Sequence, residues 1–205
     1  DKKNKNPFLK EKSIVHIKCD ICNYIKLKKK IQNIKPNIIV HLAAQSTIDF
    51  IDKKKNSYLK NNIIGTTNIV KISNDLKVEK FIFASTAAVY KYKNINLTEK
   101  DKIFPNNIYG KTKRINEEYI ISSFNGSHTK YCILRFFNVC SSLNMEIGEF
   151  HNPETHLIPK VINSLIFNKK ITIYGNNFKT TDGTCVRDYI HIKDIVRGIE
   201  KSIKY

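Results

Sequence analysis

Short runs of isoleucine, valine and phenylalanine alternate along the chain with longer segments in which apolar residues recur every three or four positions. The short runs are apolar on both faces, which is typical of strands buried in a parallel sheet. They predict strands at Ser13–Lys18, Asn37–Ala44, Lys80–Ser85, Tyr131–Phe136 and Lys170–Tyr174. The longer segments predict helices near Tyr24–Asn33, Ser57–Asp75, Ile108–Ser123 and His156–Phe167, with another that begins near Lys193. Strands and helices in alternation predict an α/β fold with a doubly wound parallel sheet.

A second, smaller domain is predicted to begin after residue 138. The segment Ser141–Pro153 contains Gly148, Asn152 and Pro153, and residues of these types favour a loop over regular structure. We therefore interpret residues 1–138 as a first domain and residues 139–205 as the start of a second one.

The chain is strongly basic, with 36 Lys and Arg residues against 18 Asp and Glu residues and a formal net charge of +18. Such a charge attracts polyanions. The lysines are spread through every segment, however, and no zinc finger, basic zipper or aromatic-rich RNA motif accompanies them. We predict no nucleic-acid partner, and we expect the positive field to help in the capture of an anionic small molecule.

The cysteines and histidines show no spacing typical of a metal site. The five cysteines are an odd number, and Cys19 and Cys22 form a lone C-x-x-C pair. A metal or redox pair would need a second ligand pair or a thioredoxin-like setting. We predict reduced thiols, no metal, and structural roles for His41 and His191, which lie in apolar runs.

No apolar run approaches the roughly 20 residues that span a bilayer. The start of the chain, Asp1 to Lys12, is polar and lysine-rich without an apolar core. This pattern predicts no membrane segment, no export signal and a cytoplasmic location. The first residue is Asp rather than Met, which fits a truncated chain.

The strongest chemical signal is a hydroxyl residue, Thr86, followed by Tyr109 and Lys113, which are four residues apart on a predicted helix. Residues at this spacing share one helix face, so the phenol and the ammonium can approach one ligand. A tyrosine base near neutral pH needs its pKa lowered by about three units. One cation at about 5.5 Å supplies about 3 kcal/mol at an effective dielectric constant of about 20. Lys113 and the positive nicotinamide of an oxidised cofactor would therefore together suffice to lower the pKa of Tyr109. The structural alternative is a surface helix with an amphipathic tyrosine and a solvated lysine.

Further residues in a fixed order point to a family. The chain contains Asp20-Ile21, His41-x-Ala43-Ala44, Asn61-Asn62-x-x-Gly65-Thr66, Thr86 in Ser-Thr-Ala-Ala-Val-Tyr, Tyr109-x-x-x-Lys113 and Arg135-Phe136-Phe137-Asn138. This order resembles the extended short-chain dehydrogenases/reductases of the NAD-dependent epimerase/dehydratase family, over essentially the whole chain. The resemblance implies a Rossmann-like sheet and NAD as the cofactor.

Two longer stretches narrow the resemblance to the UDP-glucose 4-epimerases. They run from Gly148 to Pro159 and from Tyr174 to His191. The resemblance implies a UDP-sugar substrate and the interconversion of UDP-glucose and UDP-galactose through a 4-keto intermediate. It also implies a homodimer, formed by the helices near Ser57–Asp75 and Ile108–Ser123.

The resemblance implies a role for each matched position. The catalytic residues would be Thr86 and Tyr109, beside the sugar 4-hydroxyl, and Lys113, on the nicotinamide ribose. NAD would also contact Asp20, Ile21, Ala43, Ala44, Asn61, Tyr109 and Phe137. The UDP-sugar would contact Thr86, Tyr109, Asn138, Leu157, Thr172, Tyr174 and Arg187. Arg187 suits a diphosphate and Tyr174 suits uracil, whereas the structural alternatives are an ion pair with Asp188 and a core position, respectively.

Two other functions remain open. Dehydratases and decarboxylases of the same fold typically have an acidic residue just after the position of Thr86, where this chain has Ala87 and Ala88. An inactive remnant of such an enzyme is the other alternative. The chain lacks the glycine-rich phosphate loop and the acidic residue expected for the cofactor ribose. We therefore expect both ends of the enzyme to be absent, with residues 1–205 alone inactive and an unpaired strand edge at Asn37–Ala44.

Overall fold

The computed structural model describes residues 14–46, 58–92, 96–144, 148–149, 151 and 154–205. Ser13 and Ser57, at which a predicted strand and a predicted helix begin, lie outside the described residues, as do Asn152 and Pro153 of the predicted loop. The chain divides into two compact units, one of Asp1–Phe136 with Gly198–Tyr205 and one of Phe137–Arg197.

The first unit is built on a sheet of three parallel strands in the order β1 (Ile38–His41), β2 (Lys80–Thr86) and β3 (Lys130–Phe136). Strand β2 lies between the other two, and Phe81, Ile82 and Phe83 are almost completely buried. This burial on both faces explains why the strand contains a continuous apolar run. The predicted α/β fold with a parallel sheet is confirmed.

The described helices are α1 (Tyr24–Ile34), α2 (Gly65–Asp75), α3 (Ile108–Phe124), α4 (Leu157–Ile166) and α5 (Ile192–Lys204), and a π-helical segment (Leu59–Ile64) leads directly into α2. Helices α1 and α3 begin after Asn23 and Asn107, whose side chains accept hydrogen bonds from backbone N–H groups of the first turn. The predicted helix Ser57–Asp75 is thus two elements, because its first turns are wider than an α-helix.

Helices cover both faces of the sheet. On one face Phe81 and Phe83 belong to a cluster with side chains from three helices, namely Leu27, Ile69, Val70, Ile72, Ile120 and Phe124. On the other face Cys132 stands in register beside Ile82. Its Sγ lies 3.5 Å from Oγ of Ser202, in the last turns of α5. The alternation of side chains along β2 therefore explains the doubly wound arrangement.

The second unit contains a pair of short parallel strands, β4 (Asn138–Cys140) and β5 (Tyr189–His191), and helix α4. The strand predicted at Lys170–Tyr174 is wrong, because the described residues offer it no neighbouring strand and Ile173 is 69% exposed. The prediction at Ser13–Lys18 fails for the same reason over residues 14–18, where Val15 is 82% exposed.

Among the described residues, no helix combines the length and apolar character that crossing a membrane requires.

Candidate active site

Thr86 is the last residue of β2, the middle strand of the sheet. Its Oγ1 accepts a hydrogen bond of 3.2 Å from the backbone N–H of Ala88, which caps the short 3-10 turn Ala87–Val89. The turn ends the strand abruptly and leaves the Thr86 hydroxyl at the carboxyl end of the sheet. This is the edge at which ligands collect in doubly wound folds.

Tyr109 is held close to Thr86 by the way in which α3 begins. The Asn107 side chain accepts a 2.7 Å hydrogen bond from Gly110 N–H and fixes the first turn. At Gly110 a Cβ atom would overlap the carbonyl oxygen of Ala88, so only glycine lets the helix approach the 3-10 turn this closely. A side-chain hydrogen bond joins the hydroxyls of Tyr109 and Thr86.

Lys113 follows one turn later and is 3% exposed. Its Nζ donates a 2.6 Å hydrogen bond to the backbone carbonyl of Ala84 and lies 4.6 Å from the centre of the Phe83 ring. Burial lowers the pKa of Lys113 to about 8, although the negative charge of Glu117 opposes this. The ammonium therefore keeps most of its charge at neutral pH.

The charge of Lys113 alone does not lower the pKa of Tyr109. The pKa of Tyr109 is raised, because burial of the phenol outweighs the hydrogen bond from Thr86, which acts in the opposite direction. Lys113 Nζ is 5.9 Å from the centre of the tyrosine ring and is engaged with Ala84. Desolvation favours the neutral form of the phenol, and the spacing of Tyr109 and Lys113 along the chain does not reveal how much water the fold removes.

A buried ion pair joins helix α3, which carries Tyr109 and Lys113, to strand β3. Glu117, one turn after Lys113, is completely buried, and its two carboxylate oxygens accept hydrogen bonds of 3.0 and 2.8 Å from Arg135 of β3. Ser85 donates to the same carboxylate, and Arg135 also donates to the Tyr90 hydroxyl at 2.9 Å. The sequence analysis assigned no role to Glu117, although its four-residue spacing from Lys113 is the same signal that linked Tyr109 and Lys113.

A second buried polar network connects the sheet with two helices. His41, at the end of β1, lies 2.9 Å from Thr66 Oγ1, and Asn116 Nδ2 donates to the same oxygen at 3.2 Å and to the carbonyl of Asn62 at 2.9 Å. The amide of Asn62 in turn pairs with the backbone of Gln45, at 2.7 and 3.1 Å. His41 is thus a hydrogen-bonded structural histidine, as the sequence predicted.

His41 makes the folded state sensitive to acid. Burial, helped by the nearby charge of Lys113, lowers the pKa of His41 from 6.5 to about 3. Between these two values the unfolded chain binds a proton that the folded chain does not, so stability is lost as the pH falls. We expect the free energy of unfolding to drop by about 2 kcal/mol from this residue alone between about pH 8 and about pH 5. Urea unfolding at both pH values measures this loss.

The matched variants for this experiment are His41→Gln, which cannot titrate, and His128→Gln, which changes an exposed histidine. The first should lose less stability than the wild type on acidification, and the second should behave as the wild type does. Equal losses in His41→Gln and in the wild type would contradict the assignment.

The residues predicted to contact the cofactor lie in the first unit, except for Phe137. Asp20 and Ile21 form the turn before α1, where Asp20 Oδ1 accepts a 3.0 Å hydrogen bond from Cys22 N–H. Ala43 and Ala44 follow β1, and Asn61 lies in the π-helical segment. Cys22 connects two of these places, since its Sγ is 3.1 Å from the carbonyl of Lys60 and 3.8 Å from Asn61 Oδ1.

The chemistry of this group of residues fits a nicotinamide cofactor. The Lys113 ammonium has three N–H bonds, and among the described residues Ala84 accepts one of them. The others suit the paired hydroxyls of a ribose. Ala43 and Ala44, which follow β1, add apolar surface near the end of the sheet, which suits flat rings.

Apart from Thr86 and Tyr109, the residues predicted to contact the UDP-sugar lie in the second unit. Phe137, which is 37% exposed, belongs to the same unit. Asn138 begins β4, and its side chain donates a 2.9 Å hydrogen bond to the carbonyl of Asp188. Leu157 begins α4, whereas Thr172 lies in an extended segment outside any described strand.

Tyr174 and Arg187, the other two UDP candidates, are both exposed. Tyr174 is 84% exposed, so the alternative of a core position is wrong. Arg187 donates to the carbonyl of Val186 at 2.9 Å, and the described residues show no ion pair between it and Asp188. Both side chains are therefore accessible to a ligand.

Comparisons with known proteins identify the family of this chain. The sequence model of the NAD dependent epimerase/dehydratase family matches residues 1–205. UDP-glucose 4-epimerase of Lactobacillus helveticus is 37% identical over 189 residues, which are 91% of this chain and 57% of that protein. A crystal structure of a UDP-glucose 4-epimerase is 34% identical and superimposes with a TM-score of 0.86, over 95% of this chain and 60% of its own.

A second solved structure, UDP-glucose 4-epimerase from Bifidobacterium longum in complex with NAD+ and UDP, is 26% identical. It superimposes with a TM-score of 0.85 over 92% of this chain and 58% of its own. The chain therefore spans less than two thirds of the length of these relatives. The match of the family model to residues 1–205, together with the shared fold, shows that this chain belongs to the NAD dependent epimerase/dehydratase family.

Proposed function

We propose that the whole protein interconverts UDP-glucose and UDP-galactose by NAD-dependent epimerisation at carbon 4 of the sugar. The observation that carries the proposal is the hydrogen-bonded pair of hydroxyls, Thr86 and Tyr109, next to the buried ammonium of Lys113 at the carboxyl end of the sheet. The names of the relatives, which are UDP-glucose 4-epimerases, support the choice of substrate.

Tyr109 is the base of the proposed reaction. Its phenol oxygen takes the proton of the sugar 4-hydroxyl and returns it to the same oxygen after the sugar has turned its other face. The Thr86 hydroxyl can donate and accept at once, so it holds the sugar oxygen within reach of Tyr109. Both hydroxyls stand at the ends of regular elements, which keeps the reacting atoms oriented without loop closure.

Lys113 binds the ribose hydroxyls of the cofactor in this proposal. NAD, when bound, supplies a reversible acceptor for the hydride and a positive ring that favours the phenolate of Tyr109. The Ala84 carbonyl orients the ammonium, and Glu117 helps to keep it charged. Asp20, Ile21, Ala43, Ala44 and Asn61 would bind the rest of the cofactor, with Phe137 on the nicotinamide.

The second unit is proposed to bind the UDP-sugar. Arg187 would pair with the diphosphate, because a guanidinium forms two parallel hydrogen bonds to such oxygens. Tyr174 would stack on uracil, since its ring is exposed. Asn138, Leu157 and Thr172 would complete the contacts.

We also propose a homodimer that uses the π-helical segment and α3. These elements carry exposed apolar side chains, namely Leu59, Ile64, Ile115 and Ile121, each between 41% and 49% exposed. A second copy of the chain would cover these side chains and so remove apolar surface from water.

Epimerisation is favoured over dehydration by the residues after Thr86. Ala87 and Ala88 form the 3-10 turn beside the two hydroxyls, so no acidic side chain follows Thr86 directly. A dehydratase would need a group there to move a further proton. Alanine cannot do so.

The test is to incubate the whole protein with NAD and UDP-glucose, or with UDP-galactose, and to analyse the sugars by mass spectrometry and chromatography. Whichever sugar nucleotide is the starting compound, we expect the same mixture of UDP-glucose and UDP-galactose, with no change in mass. A product lighter by one water would favour a dehydratase. Unchanged substrate, with NAD bound, would contradict the proposal.

A further inference from the structure

The segment before α4 brings together four side chains that suit a metal ion. Glu149, His151, Glu154 and His156 each offer one ligand atom, and these atoms lie within 4.8 Å of one another. All four belong to the second unit. The sequence predicted no metal, because its His, Cys and Asp residues show no spacing typical of a metal site.

Two of the distances in this cluster are close to those of a coordination sphere. His151 Nδ1 lies 3.4 Å from Glu149 Oε1 and 3.7 Å from Glu154 Oε1, and His156 Nδ1 contacts Glu149 Oε1. In a tetrahedral zinc site with bonds of about 2.0–2.2 Å, neighbouring ligand atoms are about 3.3–3.6 Å apart. Small side-chain movements would therefore suffice to place an ion between them.

His151 supplies a second, independent observation. Its Nδ1 atom is shielded from solvent and has no hydrogen-bond partner among the described residues, since both carboxylate oxygens are beyond normal hydrogen-bond distance. A buried nitrogen without a partner is costly. A metal ion bound between the nitrogen and the two carboxylates would remove this cost.

The backbone already orients one of the carboxylates. Glu154 Oε1 accepts 2.8 Å hydrogen bonds from the N–H groups of Thr155 and His156. Such outer hydrogen bonds are typical of metal ligands, which they hold in place. The rings of His151 and His156 also lie side by side, with centres 4.5 Å apart.

We propose that Glu149, His151, Glu154 and His156 form a structural binding site for a divalent transition-metal ion, and that Zn²⁺ fits it best. Two imidazole nitrogens disfavour Mg²⁺ and Ca²⁺, which prefer oxygen. Two carboxylates balance the charge of the ion, and four protein ligands leave no open position, which is typical of structural zinc sites. The ion would link Glu149, His151 and Glu154 to His156, the residue directly before α4.

The experiment uses the whole protein, stripped of metal with a chelator and titrated with Zn²⁺ alone by calorimetry, with metal content measured by mass spectrometry. We expect one equivalent of Zn²⁺ with a dissociation constant below about 1 μM. Loss of a hydrogen-bond partner of a metal ligand typically weakens binding by about 10- to 100-fold, so His151→Gln and Glu154→Gln, which each change a ligand itself, should weaken it at least as much. His151→Asp, which replaces the nitrogen ligand by an anionic carboxylate oxygen, should bind better than His151→Gln, which offers only a neutral amide.

Two controls separate this site from other ligands. His128→Gln changes an exposed histidine outside the cluster, and the double variant Cys19→Ser/Cys22→Ser removes the C-x-x-C pair. Both should keep the full equivalent of Zn²⁺. Thermal unfolding should show a rise in Tm with Zn²⁺ in the wild type and in both controls, and a smaller rise in His151→Gln.

Loss of Zn²⁺ binding in the cysteine variant with unchanged binding in His151→Gln would overturn the proposal, as would a wild type that binds no Zn²⁺. If His151→Gln failed to fold, which circular dichroism would reveal, Glu154→Gln and His151→Asp would decide the question by the same titration.

Discussion

Tyr109→Phe is expected to lower kcat by between about 10²- and 10⁴-fold, the usual contribution of a positioned acid–base group. The change removes one oxygen atom, and the ring still packs at the start of α3. The affinity for the UDP-sugar should therefore stay within a few-fold of the wild type. Initial rates of UDP-galactose formation, together with UDP-glucose binding by calorimetry, measure the two effects separately.

The matched control is Tyr119→Phe, which removes a hydroxyl from the same helix but packs against the apolar core rather than Thr86. It should turn over normally. If Tyr109→Phe were as active as Tyr119→Phe at neutral pH, another group would be the base.

Arg135→Leu is expected to lower the free energy of unfolding by about 3–5 kcal/mol, because it leaves the buried carboxylate of Glu117 without its cation. The side chain of Glu117 is 0% exposed and that of Arg135 is 19% exposed. Water therefore cannot replace the lost hydrogen bonds. Denaturant unfolding of the whole protein at neutral pH measures the loss.

Arg114→Leu is the control for this variant, since it breaks the ion pair with Glu118 on the exposed face of the same helix. This variant should lower the free energy of unfolding by no more than about 1 kcal/mol. Adding Glu117→Gln to Arg135→Leu should recover part of the stability, because no unpaired charge then remains buried. An equal loss in the free energy of unfolding for the two arginine variants would show that the buried ion pair stabilises the fold no more than the exposed one does.

The regular elements of the first unit could be predicted because their patterns are long. Helix α3 was placed to within one residue at each end from the helical period of its apolar residues. Strands β2 and β3 were likewise found from apolar runs of about the length typical of strands. The candidate catalytic residues followed from the same pattern, since Thr86 ends one element and Tyr109 and Lys113 share a face of another.

The second unit was predicted less well, for a physical reason. Strands β4 and β5 have three residues each, too few to show a period of two. Residues 170–174 have strand composition, but a strand also needs a hydrogen-bonding neighbour, and composition does not reveal whether one exists.

The surroundings of the candidate site could not be predicted from the sequence either. Asn62 and Asn116 are separated by more than fifty residues, yet the side chain of one bonds the backbone of the other. Burial changes the chemistry in a similar way: it raises the pKa of Tyr109 and lowers that of Lys113. Spacing shows which groups can meet, whereas the pKa of each depends on how much water the fold removes.

The π-helical segment Leu59–Ile64 determines the direction in which its own side chains point relative to those of α2. The N–H of Gly65 bonds the carbonyl of Lys60, five residues back, so the segment holds more residues per turn than an α-helix. Each residue of an α-helix advances by about 100°. Deleting one residue here would close the wide turn and rotate Asn62 by about that angle relative to Thr66, away from Gln45 and Asn116. The number of residues in this segment is therefore a constraint of its own, one that no single substitution would reveal.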